Sequence, residues 1–402
     1  MANIPGCCQA EWVDDRIYEL INRGYDIHVV SATHCFKYPE TISHYRVPSI
    51  LPFEAMSEYN EIKSMNIDIK SRPMLIIFLK AMSSISKTLS ALNIQIFKGE
   101  GRWFWFIPSF ITLFILTIRN KYKYIYSTGG PASAHLATIL VSKLSNIKNI
   151  IELQDPLSGD DIGRNSYSKK ALKIIERFIV SNASNVVYAT KSAMNSAKKK
   201  YSRFSSKIFS IYPGAKENKK KHNKSRKSVI QFSYIGSLYQ TRNLDYFLEA
   251  FSIVSKNINK EYSIDLYGWV ADDVIERIQQ YDGIKINLHG MISRELAHQK
   301  AMESDILLLV QHTDDRSALT IPFKIYDYLN TEKLILGLTY KNNEIDQILS
   351  NYGHLYCSAD SVVDIKNSLN DIFNNYDILK KKIKKSDLNP YQAVNKMEEI
   401  IS

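Results

Sequence analysis

The sequence predicts an α/β protein of two Rossmann-like, doubly wound domains facing each other across a cleft. Three observations point to it. Short apolar runs alternate with helix-period stretches from end to end, and such alternation builds parallel sheets with helices on both faces. The pattern occurs twice. The halves meet at KENKKKHNKSRK, which has seven basic residues, one acidic and none apolar. A run with nothing to bury reads as a solvated linker. Domains are therefore expected at 1–215 and 228–385, with the linker at 216–227. A final stretch, 386–402, carries a helix over Pro390–Ile401 that packs back on the first domain.

Taken in order, the first helical stretch is Asp15–Arg23, and the strand Asp26–Val30 follows it. Doubly wound domains open with a strand whose end carries the first ligand loop. Only Ala2–Cys8 is available for one here, so that strand is either very short or already begun. A helix is expected over Pro73–Leu92, with Lys80 and Lys87 on it. The most apolar run is Trp103–Ile118. As a helix it reaches about 24 Å, short of the ~30 Å hydrocarbon core. With Lys98 and Arg102 before it and Arg119, Lys121 and Lys123 after it, it is either a buried core helix or a membrane-surface helix. Tyr124–Ser127, Asn149–Leu153, Asn185–Ala189 and Lys207–Tyr212 complete the first set of strands. Val229–Ile235, Ser263–Tyr267, Lys285–Leu288, Asp305–Val310 and Leu334–Leu338 form the second. A basic cluster, Lys380–Lys385, precedes the final helix.

Composition narrows the class. With 45% hydrophobic and 23% charged residues the chain is neither disordered nor low in complexity. The balance of 52 Lys+Arg against 41 Asp+Glu gives +11, which suits an anionic ligand or an anionic membrane surface and does not call for nucleic acid. Cys7, Cys8, Cys35 and Cys357 show no zinc spacing, and neighbouring cysteines bridge poorly. With no secretory leader pattern at the start, the reading is a reducing cytoplasm.

Ligands of open parallel sheets bind beyond the carboxyl ends of the strands, and four such places carry chemistry. After Val229–Ile235, Gly236 permits close backbone approach. Leu244, Phe247, Leu248 and Phe251 then mark one face of a helix. Arg242 at its entrance is either a diphosphate-binding guanidinium or a solvated loop arginine. Gly268, after the next strand, is grouped with Gly236. In TIPFKIYDYLNTEK, Thr320 is a plausible N-cap and Pro322 suits the first turn. Lys324, Asp327 and Tyr328 share a face. A cation in a first turn is out of place unless an anion binds opposite it, and Asp327 could accept from a ribose diol; otherwise the two form a surface ion pair. In STGGPASAH, His135 is either a ligand group or a packed histidine behind a tight turn. In IIELQDP, the strand delivers Gln154 and Asp155 to its carboxyl end.

Together these segments resemble the retaining glycosyltransferases of family four, which have the GT-B fold, over most of the chain. STGGPASAH and IIELQDP are similar to the family's "Ser-Gly-Pro-Pro…His" and "Arg-Asp-Pro-Trp" motifs. YIGSLYQTRNLDYFLEAF resembles its "Gly-Arg-Leu…Lys-Gly" segment, and IPFKIYDYLNTEKLILG its "Pro-x-Lys-x-x-Glu-Tyr-Leu…Gly-Lys-Pro" segment. The resemblance implies a donor site of Gly236, Arg242, Gly268, Thr320, Lys324, Asp327 and Tyr328. Arg242 takes the diphosphate-binding position and Asp327 that of the ribose-binding glutamate. His135, Gln154 and Asp155 are the catalytic candidates, orienting sugar or acceptor. The sequence departs from the pattern in three ways: Asp327 is one methylene short, Gln154 carries no charge, and NTEK lacks the glycine turn.

The implied reaction transfers a sugar, of hexosyl or N-acetylhexosaminyl type, from a nucleoside-diphosphate sugar, with UDP favoured over GDP. It serves surface polysaccharide or lipopolysaccharide synthesis and retains configuration by front-face departure. No Asp-x-Asp occurs in the chain, so neither metal nor other cofactor is expected; Arg242 and Lys324 would stabilise the leaving diphosphate instead. The implied acceptor is a glycan, or one carried on a polyprenyl diphosphate. Lys98, Arg102, Trp103, Trp105 and Phe106 would then face an anionic membrane, giving a cytoplasmic protein with a peripheral seat on the inner face. The alternatives are a sugar-nucleotide epimerase and a non-catalytic nucleotide- or glycan-binding protein of the same fold.

Overall fold

The computed structural model describes residues 8–35, 38–64, 73–91, 103–158, 166–216, 229–258, 260–281 and 283–402. Residues 2–7 of the expected first strand at Ala2–Cys8, the linker from 217 onward, and Lys98 and Arg102 lie outside these residues, and Cys8 begins a helix. The chain divides into two compact units, Met1–Tyr212 with Val394–Ser402, and Pro213–Ala393.

In the first unit, helix α1 (Cys8–Asn22) precedes strands β1 (His28–Ala32) and β2 (Ser43–Val47), which pair in parallel. Helices α2 (Pro52–Ser64), α3 (Pro73–Ala91) and α4 (Phe106–Arg119) follow. Strand β3 (Tyr124–Thr128), α5 (Ala132–Ser145), β4 (Lys148–Leu153), α6 (Ser166–Asn182), β5 (Asn185–Tyr188), α7 (Lys191–Lys200) and β6 (Ile208–Ser210) then alternate. They form a four-stranded sheet in the order β3-β4-β5-β6, parallel throughout. The apolar run at 103–118 does form a helix. It buries Ser109 and Leu116 and exposes Ile107, Ile111, Ile115 and Ile118, so one face is packed and the other is not. Among the described residues no helix is long and apolar enough to cross a membrane.

The second unit alternates β7 (Ile230–Ile235), α8 (Asp245–Ser255), β8 (Tyr262–Tyr267), α9 (Asp272–Ile278), β9 (Ile286–Gly290), α10 (Arg294–Glu303) and β10 (Ile306–Val310). Helix α11 (Lys324–Leu329), β11 (Leu334–Thr339), α12 (Asn343–Asn351), β12 (Leu355–Ser358) and α13 (Val362–Lys382) complete it. The sheet order is β12-β11-β10-β7-β8-β9. This is the doubly wound order, with the reversal between β7 and β10. Every residue of β10 and β11 is buried, as parallel strands covered on both faces must be. The stripe Leu244, Phe247, Leu248 and Phe251 is buried throughout, and Phe232 packs against Phe247, Phe251 and Phe373.

All ten expected strands form within a residue or three of their predicted limits. Two were missed, β2 and β12. Both are half-exposed edges without the apolar run that marks a covered strand. The unit boundary also shifts. Pro213–Ala215 belong to the second unit, where the Ala215 N–H donates to the Leu388 carbonyl at 3.2 Å. The return to the first unit begins within α14 (Pro390–Ile401), at Val394 rather than 386. There Arg23 Nη1 meets Glu398 at 2.6 Å and Tyr124 donates to the Ile401 carbonyl.

A buried ion pair ties α1 to β4. Arg16 Nη1 lies 2.7 Å from Glu152 Oε1, with both side chains at 2% exposure or less. Tyr126 donates its hydroxyl to the same carboxylate. Removing one partner leaves an uncompensated buried charge, whereas replacing both does not. Arg16→Met is therefore expected to cost about 3–5 kcal/mol, and Arg16→Met with Glu152→Leu to recover most of it. Urea unfolding of the two variants checks this.

Candidate functional site at the strand-order reversal

The loops after β7 and β10 diverge at the reversal and bring several expected residues together. Gly236 follows β7 with φ +147° and Gly268 follows β8 with φ +128°. The Gly236 N–H donates to the Tyr267 carbonyl at 2.7 Å. A Cβ on Gly268 would overlap the Gly236 carbonyl, and one on Gly236 would occupy the place of the Lys324 ammonium. Glycine is thus required at both. Lys324, the first residue of α11, holds its Nζ 3.9 Å from the centre of the Tyr234 ring. Tyr328, one turn on, accepts from the Ile235 N–H at 3.1 Å, which ties α11 to the end of β7.

Arg242 belongs to the same group. Tyr239 and Arg242 exchange backbone hydrogen bonds of 2.9 and 3.0 Å around Gln240 at φ +52°. The tight turn sets the guanidinium 5.7 Å from the Tyr239 ring centre. Its Nε is buried and makes no hydrogen bond among the described residues. Two neighbours respond to it. Burial raises Tyr234, and the charge of Arg242 works against that rise. At His312, burial and the charges of Arg242 and Arg316 push the pKa down to about 4.

Arg316 and His312 were not anticipated. Their position past the end of β10 is the sequence signal that points to them. Arg316 grips Asp314 twice, Nε to Oδ1 at 2.8 Å and Nη2 to Oδ2 at 2.6 Å. These bonds hold the Asp314 carboxyl well below the usual carboxylate range. Arg316 Nη2 also reaches Thr241 Oγ1 at 3.2 Å, which joins the β10 loop to the β7 loop. Thr241 Oγ1 and His312 Nδ1 stand 2.9 Å apart.

Other expected residues fall elsewhere. Thr320 is not an N-cap. Phe323 flanks α11, and Thr320 Oγ1 donates to the Arg316 carbonyl at 2.7 Å, closing the turn before it. Asp327 does not pair with Lys324. Its Oδ1 faces Arg294 Nη2 at 3.5 Å and His298 Nε2 at 4.0 Å, both on α10. Burial raises its pKa, against the pull of those two groups.

In the first unit, His135 is the packed histidine and not a ligand group. It is 0% exposed. Its Nδ1 bonds Ser127 Oγ at 2.9 Å and its Nε2 the Gly129 carbonyl at 3.1 Å. Burial holds it neutral, down at about 4. It shapes the turn after β3 from behind. Gln154, past the end of β4, is buried, and its Nε2 has no hydrogen-bond partner among the described residues. Asp155 beside it is exposed.

No protein-family model matches the sequence, and no curated protein matches it. Solved structures do match the fold. Anabaena Alr3699/HepE in complex with UDP and glucose aligns with TM-score 0.55 at 10% identity, over 79% of this chain and 88% of that one. A variant of S. aureus TarM in complex with fondaparinux, α-GlcNAc-glycerol and UDP aligns with TM-score 0.52 at 14% identity, over 76% and 60%. The lipopolysaccharide outer core galactosyltransferase WaaB aligns with TM-score 0.51 at 12% identity, over 73% and 80%. At such identities the likeness establishes the fold alone: the chain has the doubly wound, two-unit GT-B architecture.

The buried histidines set a pH dependence. Burial also lowers His354 to about 4, as it does His135 and His312. Each stays neutral in the folded chain while the unfolded chain takes up a proton near the ordinary value of 6.5. The unfolded state therefore binds more protons between pH 6.5 and 4, and stability falls as pH falls through that window. The melting temperature is expected to drop steadily from pH 6.5 to 5, and His354→Gln to flatten the slope in a calorimetric pH series.

Proposed function

We propose that the protein is a glycosyltransferase that moves a hexosyl or N-acetylhexosaminyl group from a UDP-sugar to a glycan or lipid-linked acceptor in surface polysaccharide synthesis. The observation that carries this reading is the convergence of Arg242, Arg316 and Lys324 at the reversal of strand order. Arg242 acts on both Tyr234 and His312; Lys324 lies on the first and Arg316 is bonded to the second. UDP as the nucleotide draws on the HepE and TarM complexes, which hold it.

Breaking the sugar–diphosphate bond develops charge on the leaving oxygens. In this reading Arg242 and Lys324 stabilise it with fixed positive charge, and no metal is required. Gly236 and Gly268 leave the backbone open to the diphosphate. Asp327 exchanges its α10 partners for ribose hydroxyls. Gln154 and Asp155 orient the sugar or acceptor, and His135 supports the turn beside them. Departure and attack occur on the same face of the sugar, retaining its configuration, with the leaving phosphate taking the acceptor's proton. The exposed isoleucines of α4, with Arg119 in its last turn, suit a peripheral seat on a cytoplasmic membrane face.

Arg242→Ala and Lys324→Ala are each expected to weaken UDP binding about 10- to 100-fold, the cost of a lost hydrogen bond to a charged group. Circular dichroism should be unchanged. Calorimetric titration with UDP, and GDP and CMP for comparison, measures this; unaltered affinity in both variants would refute the site. UDP release from UDP-glucose, UDP-galactose and UDP-N-acetylglucosamine then separates the readings. Interconversion of the sugar nucleotides without acceptor marks an epimerase, and binding without turnover a nucleotide-binding protein.

A further inference from the structure

The charge of the chain is not spread evenly. Residues 103–207 hold 16 of the 52 Lys+Arg and 5 of the 41 Asp+Glu, a balance of +11. The rest of the chain holds 36 of each and balances to zero. The whole surplus therefore lies between the turn before α4 and the start of β6.

The fold gathers that segment onto one surface. Strands β3, β4, β5 and β6 follow each other across their sheet in chain order and in parallel. Right-handed crossovers put α5, α6 and α7 on the same face of such a sheet, and the three share one core. Helix α4 packs beside α5, with Thr117 Oγ1 and Ser145 Oγ 3.0 Å apart. Lys143 of α5 donates to Asn182 of α6, and Lys200 of α7 lies 2.8 Å from Glu176 of α6. Glu176 is the one carboxylate on the four helices, and it is buried. Their outer side presents Arg119, Lys143, Lys173, Arg177 and Lys199, all exposed, with no acid from these helices among them.

The same outer side is apolar in stripes. Ile107, Ile111, Ile115 and Ile118 are exposed along α4, at a spacing that keeps them on one helical face. Leu140 and Leu144 are exposed on α5, and Ile174 and Phe178 on α6, each pair one turn apart. Ile118, Leu144 and Ile174 reach 69%, 65% and 70% exposure. Large apolar side chains repeated over neighbouring helices mark an interaction surface. Trp105, expected to face a membrane, is not part of it: the ring is buried and its Nε1–H donates to the Val47 carbonyl at 2.9 Å.

Charge selects the occupant. A second copy of the chain would bring one positive face against another, which repels. Nucleic acid would meet the cations, but its bases stack on aromatic rings and leave rows of isoleucine and leucine unused. A bilayer with anionic lipid answers both features, because its headgroups attract Lys and Arg while aliphatic side chains enter the acyl boundary.

We propose that the outer face of α4, α5 and α6 docks the protein on an anionic lipid bilayer. The isoleucines and leucines enter the acyl boundary and the basic side chains meet the headgroups. Ile107 and Ile118 stand at opposite ends of α4, so that helix lies flat on the surface. This deepens the peripheral seat read above by naming its face and its lipid, and it rests on that seat and not on sugar transfer.

The test is co-sedimentation of the full chain, without nucleotide, with vesicles of phosphatidylcholine alone and of phosphatidylcholine mixed with phosphatidylglycerol. The chain is expected to bind the mixed vesicles at least about tenfold more tightly, and to be released as salt rises. Ile111→Ser with Ile115→Ser, and separately Lys173→Glu with Arg177→Glu, should each weaken that binding about tenfold or more. All four residues are exposed, so the melting temperature should hold. Lys381→Glu with Lys382→Glu, exposed on α13 of the second unit, should leave vesicle binding unchanged. Equal binding to the two kinds of vesicle, or binding to neither, overturns the proposal. Unchanged binding in either first-unit variant does the same, as does an equal loss in the α13 variant. Tighter binding of poly-uridylate than of the mixed vesicles assigns the face to nucleic acid and also overturns it. UDP titration tests the transfer reading separately; either result can fail while the other stands.

Discussion

A parallel sheet whose first strand lies in its middle has one place where the chain leaves neighbouring strands in opposite directions. The loops diverge there, and no helix can close the gap. In the second unit that place lies between β7 and β10, and burial holds it there. All of β10 and β11 is inside, and Phe232 of β7 is wedged among Phe247, Phe251 and Phe373. The core therefore decides where the opening is, and the loops at 236–242 and 311–320 inherit it. Tyr328 adds the last constraint by bonding α11 to the backbone of Ile235.

Positive charges gathered at one opening repel each other unless something offsets them. Each cation here has a different support. Arg316 takes Asp314 in a two-point grip. Arg242 and Lys324 stand near the faces of Tyr239 and Tyr234, where the ring quadrupole attracts a cation without neutralising it. His312 stays uncharged beside two guanidiniums. Arg316 is thus matched by a carboxylate, and Arg242 and Lys324 lie near aromatic faces. In the proposed reading a diphosphate offers more than one oxygen to share among the three.

The fold was largely legible because covered parallel strands leave continuous apolar runs, and helices on them leave a 3.6-residue period. Edge strands leave neither, which is why SHYRV and LYCS passed unnoticed. Site residues were legible where local backbone chemistry singles them out. Gly236 needs its positive φ, and Lys324 is a cation at a helix start. They were not legible where tertiary packing decides. Nothing in STGGPASAH tells whether His135 points outward or into the core; Ser127 and the Gly129 carbonyl settle it. Asp327 shares a helical face with Lys324, yet α10 supplies its partners. Arg316 became significant only once Thr241, 75 positions away, lay beside it.

The leading helices of the two units are held by different interactions. In the second unit α8 is seated by Phe247, Leu248 and Phe251 packed against β7 and its neighbours. In the first, Val13 and Ile17 of α1 are buried as well. Directional polar contacts also hold this helix. Arg16 reaches Glu152 on β4, and Asp14 accepts from Tyr38. Apolar packing tolerates small displacements, whereas a buried ion pair is strong only at good geometry. The position of α1 accordingly depends on one carboxylate and one guanidinium to a degree that the position of α8 does not.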